Sequence, residues 1–282
     1  MATLVIGATG NVGREVIRAL RDINHDTIAA VSSLKRSSTF PLEKIVLFDF
    51  AMPATWETAL HNVDKVFLLR PPAISDVRKR IFPFIDLATE KGVKQIVFLS
   101  LQGVQFNPLT PHYKVERYLR KKKTPYTFLR PNFFMQNLTT FYKDDIAKRD
   151  EIYLPAGMGK TAFIDVRDIG DIAAKVLSED GHIGKAYTLS GSESLDYYEV
   201  ASILSAVTKR LITYKDPSAN DYVERLRRNK ADKDFIMVQK MLYFVVRHNF
   251  SSSTISSAAE LLGRQPISFE QFAIDNAAVW QR

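Results

Sequence analysis

Residues 110–123, TPHYKVERYLRKKK, put a tyrosine four positions ahead of a basic residue, Tyr113 and Arg117. The spacing is close to the Tyr-x-x-x-Lys pair by which some reductases move a proton. Four residues are also about one helical turn, so any helix stripe shows the same interval. Which meaning holds depends on what the rest of the chain builds around it. A second cluster lies at the amino end, where VIGATGNVG places Gly7, Gly10 and Gly13 between an apolar run and a helical pattern. Glycines there permit a tight turn with positive φ, bring backbone N–H groups up to a pyrophosphate and let helix and strand pack closely. The helix amino terminus then faces the phosphates with its unsatisfied donors and positive dipole end. Gly7, Thr9, Gly10, Asn11, Val12 and Gly13 are therefore expected to hold a dinucleotide.

The type of dinucleotide is read about twenty residues further on. NAD sites usually carry an acid at the end of the second strand to bond the ribose hydroxyls. Here that region reads AAVSSLKRSS, with no carboxylate between Asp26 and Glu43 but with Ser32, Ser33, Lys35 and Arg36. A 2′-phosphate would be repelled by an acid and held by a guanidinium or ammonium. NADP(H) is expected in preference to NAD(H), with Ser32, Lys35 and Arg36 around the 2′-phosphate and Asp49 and Phe50 placed to meet the adenine. The plainer alternatives are that Lys35 and Arg36 only solvate a loop and that Asp49 is a cap.

The elements that must position these groups are legible as a series. TLVIG (3–7), TIAAVS (27–32), KIVLFDF (44–50), DKVFLLR (64–70), KQIVFLS (94–100) and YTFLR (126–130) are short and mostly apolar without alternation, as suits strands buried on both faces. Helical patterns lie between them, including NVGREVIRALRDI (11–23) and SDVRKRIFPFIDLATEKG (75–92). This order predicts an α/β fold, a Rossmann-type doubly wound parallel sheet, with a smaller, mostly helical carboxy-terminal domain. Residues 1–150 are expected to form the nucleotide-binding domain, with 160–190 returning to it, and 191–282 the lid.

The chain has 282 residues, 46% hydrophobic and 25% charged, with a net charge of +8 and no cysteine. That composition belongs to globular proteins and excludes disulfides, thiol nucleophiles and thiolate metal sites. The histidines show no metal-ligand spacing, so no metal site is expected. No apolar run approaches the ~20 residues of a membrane span, and Met1 leads directly into a strand; a cytoplasmic protein without a membrane role is the expectation. The densest cationic run, Arg120 to Lys123, closes a helical pattern, where it offsets the helix dipole. With no zinc-finger or RNA-recognition motif, a nucleic-acid partner is not expected.

Taken together, GATGNVG, SLQGV, HYKVERYL, TPYTFLRPNFFMQN, FIDVRDIGDIAAKVL, GKAYTLSGSESLDYYEVASILSAVTKR and LLGRQPISFEQFAIDNAAVW resemble the NmrA-like branch of the atypical short-chain dehydrogenases/reductases. The resemblance covers nearly the whole chain. It implies a Rossmann domain, an NADP(H) site and a small domain over the nicotinamide end. Many relatives carry an arginine immediately after the second strand, where this chain has Ser32. In active members of the wider superfamily a serine after the fifth strand polarises the substrate carbonyl, a tyrosine gives the proton and a lysine lowers its pKa. Ser100 matches that serine, and alignment on HYKVE puts His112 at the tyrosine position and Glu116 at the lysine position.

One residue step turns a helix by about 100°, so His112/Glu116 and Tyr113/Arg117 cannot both face the coenzyme. His112 and Glu116 are expected to face the cleft, the imidazole donating a proton near neutral pH and the carboxylate orienting it or raising its pKa. The alternative is that His112 is a hydrogen-bonded packing residue. Around the nicotinamide, LLRPP (68–72) supplies Leu69 and Arg70, and RPNFF (130–134) supplies Asn132 and Phe133 for the carboxamide and ring. Phe134, Phe141 and Tyr142 could wall a slot for a flat acceptor, or be simple core.

Two functions follow. One is an NADPH-dependent oxidoreductase passing hydride to a quinone, azo or similar planar conjugated acceptor, which water can protonate afterwards. The other is a non-catalytic NADP(H) sensor read by a protein partner, favoured by the loss of the tyrosine and lysine. Whether the chain turns over, and whether it forms a homo-oligomer, stay open.

Overall fold

A computed structural model describes residues 2–34, 44–255 and 257–281. The strands are β1 (Ala2–Ile6), β2 (Thr27–Val31), β3 (Ile45–Leu47), β4 (Val63–Leu69), β5 (Gln95–Leu99), β6 (Tyr126–Pro131), β7 (Glu151–Tyr153), β8 (Ala186–Leu189) and β9 (Thr213–Lys215). The helices are α1 (Asn11–Asp22), α2 (Trp56–Ala59), α3 (Val77–Arg80), α4 (Phe82–Glu90), α5 (Pro111–Lys121), α6 (Lys143–Arg149), α7 (Val166–Ser178), α8 (Tyr197–Thr208), α9 (Ala219–Arg228), α10 (Lys233–Arg247), α11 (Ser257–Leu262) and α12 (Phe269–Asp275). Seven strands form one parallel sheet in the order β3-β2-β1-β4-β5-β6-β8. The order reverses between β1 and β4, the switch point at whose carboxyl side such sheets bind ligands.

The apolar runs become strands covered on both faces; β1 and β5 are buried at every position. On one face Leu4, Val66, Leu68, Phe98 and Phe128 join Phe84 and Ile85 of α4 and Val115 and Leu119 of α5 in a single core. On the other face lie α1 and α7. A Cβ at Gly170 of α7 would lie 2.6–2.7 Å from atoms of Glu15 in α1, so these helices cross with no room for a side chain. Lys65 Nζ donates to Leu177 O (2.7 Å) and Gln95 Nε2 to Val176 O (3.1 Å), closing the carboxyl end of α7 from the strands beneath.

The described chain divides into two units, residues 1–131, 166–189 and 260–263 in the first and 132–165, 190–259 and 264–282 in the second. The first unit stops at Pro131, well before residue 150, because Met135, Leu138, Tyr142 and Ile146 belong to a second core with Tyr197, Val200, Phe269, Phe272 and Trp280. The second unit carries its own two-stranded parallel sheet, β7 with β9, from segments too short to show a periodicity. Residues 161–166 make isolated bridges, Thr161 to Leu195 and Ile164 to Phe134, and no strand. The helical pattern at 75–92 breaks into α3 and α4 at Ile81. Pro83 explains the break, since it lacks an N–H and crowds the preceding turn. Among the described residues no helix is long and apolar enough to cross a membrane.

Candidate active site

Leaving β1, the chain turns through Gly7, whose φ of +80° lies in the left-handed region. A Cβ there would also meet Leu69 of β4 at 3.1 Å. Gly10 N donates to Gly7 O at 3.0 Å, and Gly10 caps α1 in an extended conformation, with no side-chain cap and no acid in the first turn. Gly13 is the tightest point, where a Cβ would sit 2.1 Å from Gly7 O. The first turn of α1 therefore rests directly on the glycine turn. The leading N–H groups of the helix, at Asn11, Val12 and Gly13, have no intrahelical acceptor and no competing side chain. Such a cradle suits a pyrophosphate. Val12 contributes only its main chain, because its side chain is buried.

At the end of β2, Ser32 is exposed. Lys35 and Arg36, expected beside it, lie outside the described residues. The Asp49 carboxylate accepts from Ala51 N at 2.7 Å, and Asp49 O accepts from Trp56 Nε1 at 2.9 Å. The Phe50 ring is buried edge-on between Phe48 (4.9 Å) and Phe84 (5.7 Å). Phe50 thus has only its main chain to offer an adenine.

The opposite end of the candidate site is a row across three strands. Leu69, Leu99 and Leu129 are paired in register, so Arg70, Ser100 and Arg130 follow side by side. They share the face of Leu68, Phe98 and Phe128, which is the face α5 covers. Thr110 caps α5, accepting from Tyr113 N at 3.3 Å, with Pro111 in the first turn. His112 and Glu116 then point at this row, while Arg117 is exposed.

Glu116 does not meet His112. Its carboxylate, 2% exposed, takes two bonds from Arg130, Nε to Oε1 at 2.9 Å and Nη2 to Oε2 at 2.6 Å, with Arg120 3.2 Å away. His112 instead lies against Phe98 (6.0 Å between rings) and Arg70, whose Nε donates to His112 Nε2 at 3.4 Å. Burial, and then the Arg70 charge, push the imidazole pKa down to about 3. The expectation that Glu116 raises this pKa is corrected: His112 is neutral at physiological pH and cannot be a proton-charged acid there. Because a guanidinium only donates, Nε2 must accept and the ring proton is assigned to Nδ1. Ser100, 5% exposed, has a buried hydroxyl with no hydrogen-bond partner, as does the side-chain oxygen of Gln102 two residues on. Such orphaned polar atoms are ones that an ordered water or a ligand would satisfy.

The remaining expected contacts lie in the second unit, directly after β6. Both ends of the Asn132 amide are used there, Nδ2 donating to Ser251 O (2.8 Å) and Oδ1 accepting from Phe133 N (2.8 Å). Phe133 packs against the second core. Phe141 is exposed, whereas Tyr142 is buried with its hydroxyl on Gln239 Oε1 (3.2 Å) and against Tyr222 and Tyr243. Phe141 and Tyr142 therefore do not form one wall.

Sequence reading also passed over a literal Tyr-x-x-x-Lys at Tyr118 and Lys122. The Tyr118 phenol donates to Asp86 (2.6 Å), which also pairs with Lys122 (2.9 Å), and burial and Asp86 raise its pKa. A proton-donating tyrosine needs the reverse shift. Tyr118 is also six residues, about 9 Å along the axis, beyond His112.

A doubly wound parallel sheet with a glycine cradle at its first turn defines a dinucleotide-binding fold. The chain belongs to the NmrA-like family, whose pattern matches residues 2–273. It is 29% identical to an NAD(P)H azoreductase of Xenophilus azovorans, covering 98% of each chain. The triphenylmethane reductase of Citrobacter sp., solved with NADP(H), superposes with a TM-score of 0.85 at 22% identity, covering 98% of this chain and 100% of that one. The NADPH-dependent quinone oxidoreductase of Escherichia coli, solved with NADPH, gives 0.86 at 23%, covering 97% and 98%.

Proposed function

We propose that the chain is an NADPH-dependent oxidoreductase that reduces a planar conjugated acceptor of the quinone or azo type. The observation that carries this reading is the cradle at Gly7, Gly10 and Gly13, where a Cβ at Gly13 would clash, one at Gly7 would be strained, and the helix donors are uncapped. The relatives named above support it, being reductases whose names or structures carry NADP(H). The absence of an acid at the exposed end of β2 favours a 2′-phosphate. Bound there, the coenzyme supplies the hydride. The protein's own share is alignment, exclusion of water by the apolar row Leu68, Phe98 and Phe128, and hydrogen bonds from neutral His112 and from Ser100 to the acceptor. Because His112 cannot give up a proton as an acid, the proton that completes reduction comes from water.

A second reading, an NADP(H) sensor, is favoured by one observation: Glu116 is consumed by Arg130 and no Tyr-x-x-x-Lys pair stands at the row. Titration of the protein with NADPH and NADH, followed by NADPH absorbance with menadione or an azo dye, separates the two. Sustained turnover that falls in His112→Ala supports the oxidoreductase. Saturable NADPH binding with neither acceptor reduced supports the sensor, and no binding at millimolar coenzyme overturns both.

A further inference from the structure

Arg70 and Arg130 stand at the ends of β4 and β6, two strands apart on the same face, and α5 answers them differently. Opposite Arg130 it presents a carboxylate, Glu116; one turn earlier, opposite Arg70, it presents an imidazole, His112. Arg70 is tied down nonetheless. Its Nη1 donates to three carbonyls of its own loop, Pro71 (2.9 Å), Pro72 (3.1 Å) and Ile74 (2.7 Å). Among the described residues no acid pairs with it, and burial alone lowers its pKa without any offsetting carboxylate. The site therefore keeps one uncompensated, immobilised positive charge. Beside it stand two groups free to donate: the Nδ1–H of His112, which takes no partner among the described residues, and the orphaned hydroxyl of Ser100.

We infer that Arg70 sets the charge class of the acceptor, favouring neutral carbonyl or quinone acceptors that become anionic on reduction and disfavouring cationic ones. This rests on the oxidoreductase reading above. Hydride transfer adds two electrons and one proton. A neutral quinone thereby becomes a hydroquinone monoanion, which later takes one proton from water; a cationic triphenylmethane dye becomes a neutral leuco compound. A fixed cation with no counter-ion stabilises the charge that appears in the first case and opposes binding of the charge that must disappear in the second. Arg70 acts in part as a positioning residue, because its bond to Nε2 keeps the His112 proton on Nδ1, where it can meet the acceptor oxygen. An azo acceptor, neutral and anionic after hydride addition, falls in the favoured class.

The test compares kcat/KM for menadione and for a cationic triphenylmethane dye, at saturating NADPH, in the parent, Arg70→Gln and Arg70→Lys. The expected result is that Arg70→Gln lowers the menadione-to-dye ratio by about 10- to 100-fold, the scale of one preorganised group, and that Arg70→Lys keeps most of it. Both acceptors draw on the same bound coenzyme, so damage to coenzyme binding or to the loop scales both rates and leaves the ratio unmoved. A ratio unchanged in Arg70→Gln while the parent turns over overturns the inference alone. A parent that binds NADPH and reduces neither acceptor overturns the oxidoreductase reading, and this inference with it. A readout independent of turnover and of the variants is the 15N signal of His112 in the parent near pH 7. A neutral ring with Nε2 unprotonated is expected, and a protonated Nε2 refutes the arrangement.

Discussion

Replacing Glu116 separates a structural carboxylate from a catalytic one. The side chain is 2% exposed and its main partner, Arg130, 12%. Two short bonds join them, and Arg120, stacked 4.8 Å over Phe128, adds a second cation. Glu116→Ala strands the Arg130 guanidinium in a buried setting, a loss of about 3–5 kcal/mol for breaking one side of such a pair. Glu116→Gln keeps one acceptor oxygen but no charge, and about 1–3 kcal/mol is expected. At roughly 2–4 °C per kcal/mol for a large domain, the alanine variant should melt about 6–20 °C below the parent. Calorimetric melting and urea unfolding measure this directly. His112 faces Arg70, so turnover of folded Glu116→Gln should stay within about tenfold of the parent, less than the loss of a group in direct contact with the reacting atoms. A Glu116→Ala protein within ~0.5 kcal/mol of the parent but with turnover abolished would refute the structural assignment and return the carboxylate to the chemistry.

Gly13→Ala forces a methyl to 2.1 Å from Gly7 O, so α1 must back away from the turn; a stability loss of about 1–3 kcal/mol and NADPH binding weakened at least about tenfold are expected by urea melts and titration. Tyr118→Phe removes only a half-exposed hydroxyl from Asp86, and should cost under about 1 kcal/mol with NADPH affinity and turnover unchanged; lost turnover would give the Tyr-x-x-x-Lys pair a role after all. Acidification should expose the state of His112. Its folded pKa of about 3 lies below the ordinary 6.5, so between those values the unfolded chain binds a proton that the folded protein refuses. Stability should then fall with pH in that window by up to about 1.4 kcal/mol per unit. Urea midpoints from pH 7 to 4.5 should fall less steeply for His112→Gln, and parallel slopes would refute the burial of a neutral ring.

The sheet was legible because burying a strand on both faces leaves a long apolar run, and six of the seven strands carry one. The glycine turn was equally plain, since Gly7 and Gly13 are demanded by a left-handed φ and by a 2.1 Å approach that no other residue permits. The boundary at Pro131 was not legible. Residues 132–149 look like any helical stretch, and only the packing of Met135, Leu138 and Ile146 on Phe269, Phe272 and Trp280, more than a hundred residues away, assigns them to the second unit. The strands β7 and β9 failed for a local reason, as three residues hold no period.

The site itself shows where reading by spacing stops. Four residues on a helix tell that His112 and Glu116 lie on one face, and they do. Spacing cannot tell what each meets, because the partners come from strands 42 and 14 residues away in sequence, Arg70 for the imidazole and Arg130 for the carboxylate. Had the two arginines been exchanged for one another nothing would change, but had Glu116 stood opposite Arg70, the charge would be cancelled beside His112, where the acceptor is proposed to bind. A carboxylate within one turn of His112 suggests a raised pKa; the same carboxylate is fully paired with a guanidinium, so burial of the ring, and after it the Arg70 charge, act unopposed and lower it. The direction of that shift follows from the burial of the ring and from the pairing across the sheet, and so does the pH response that depends on it.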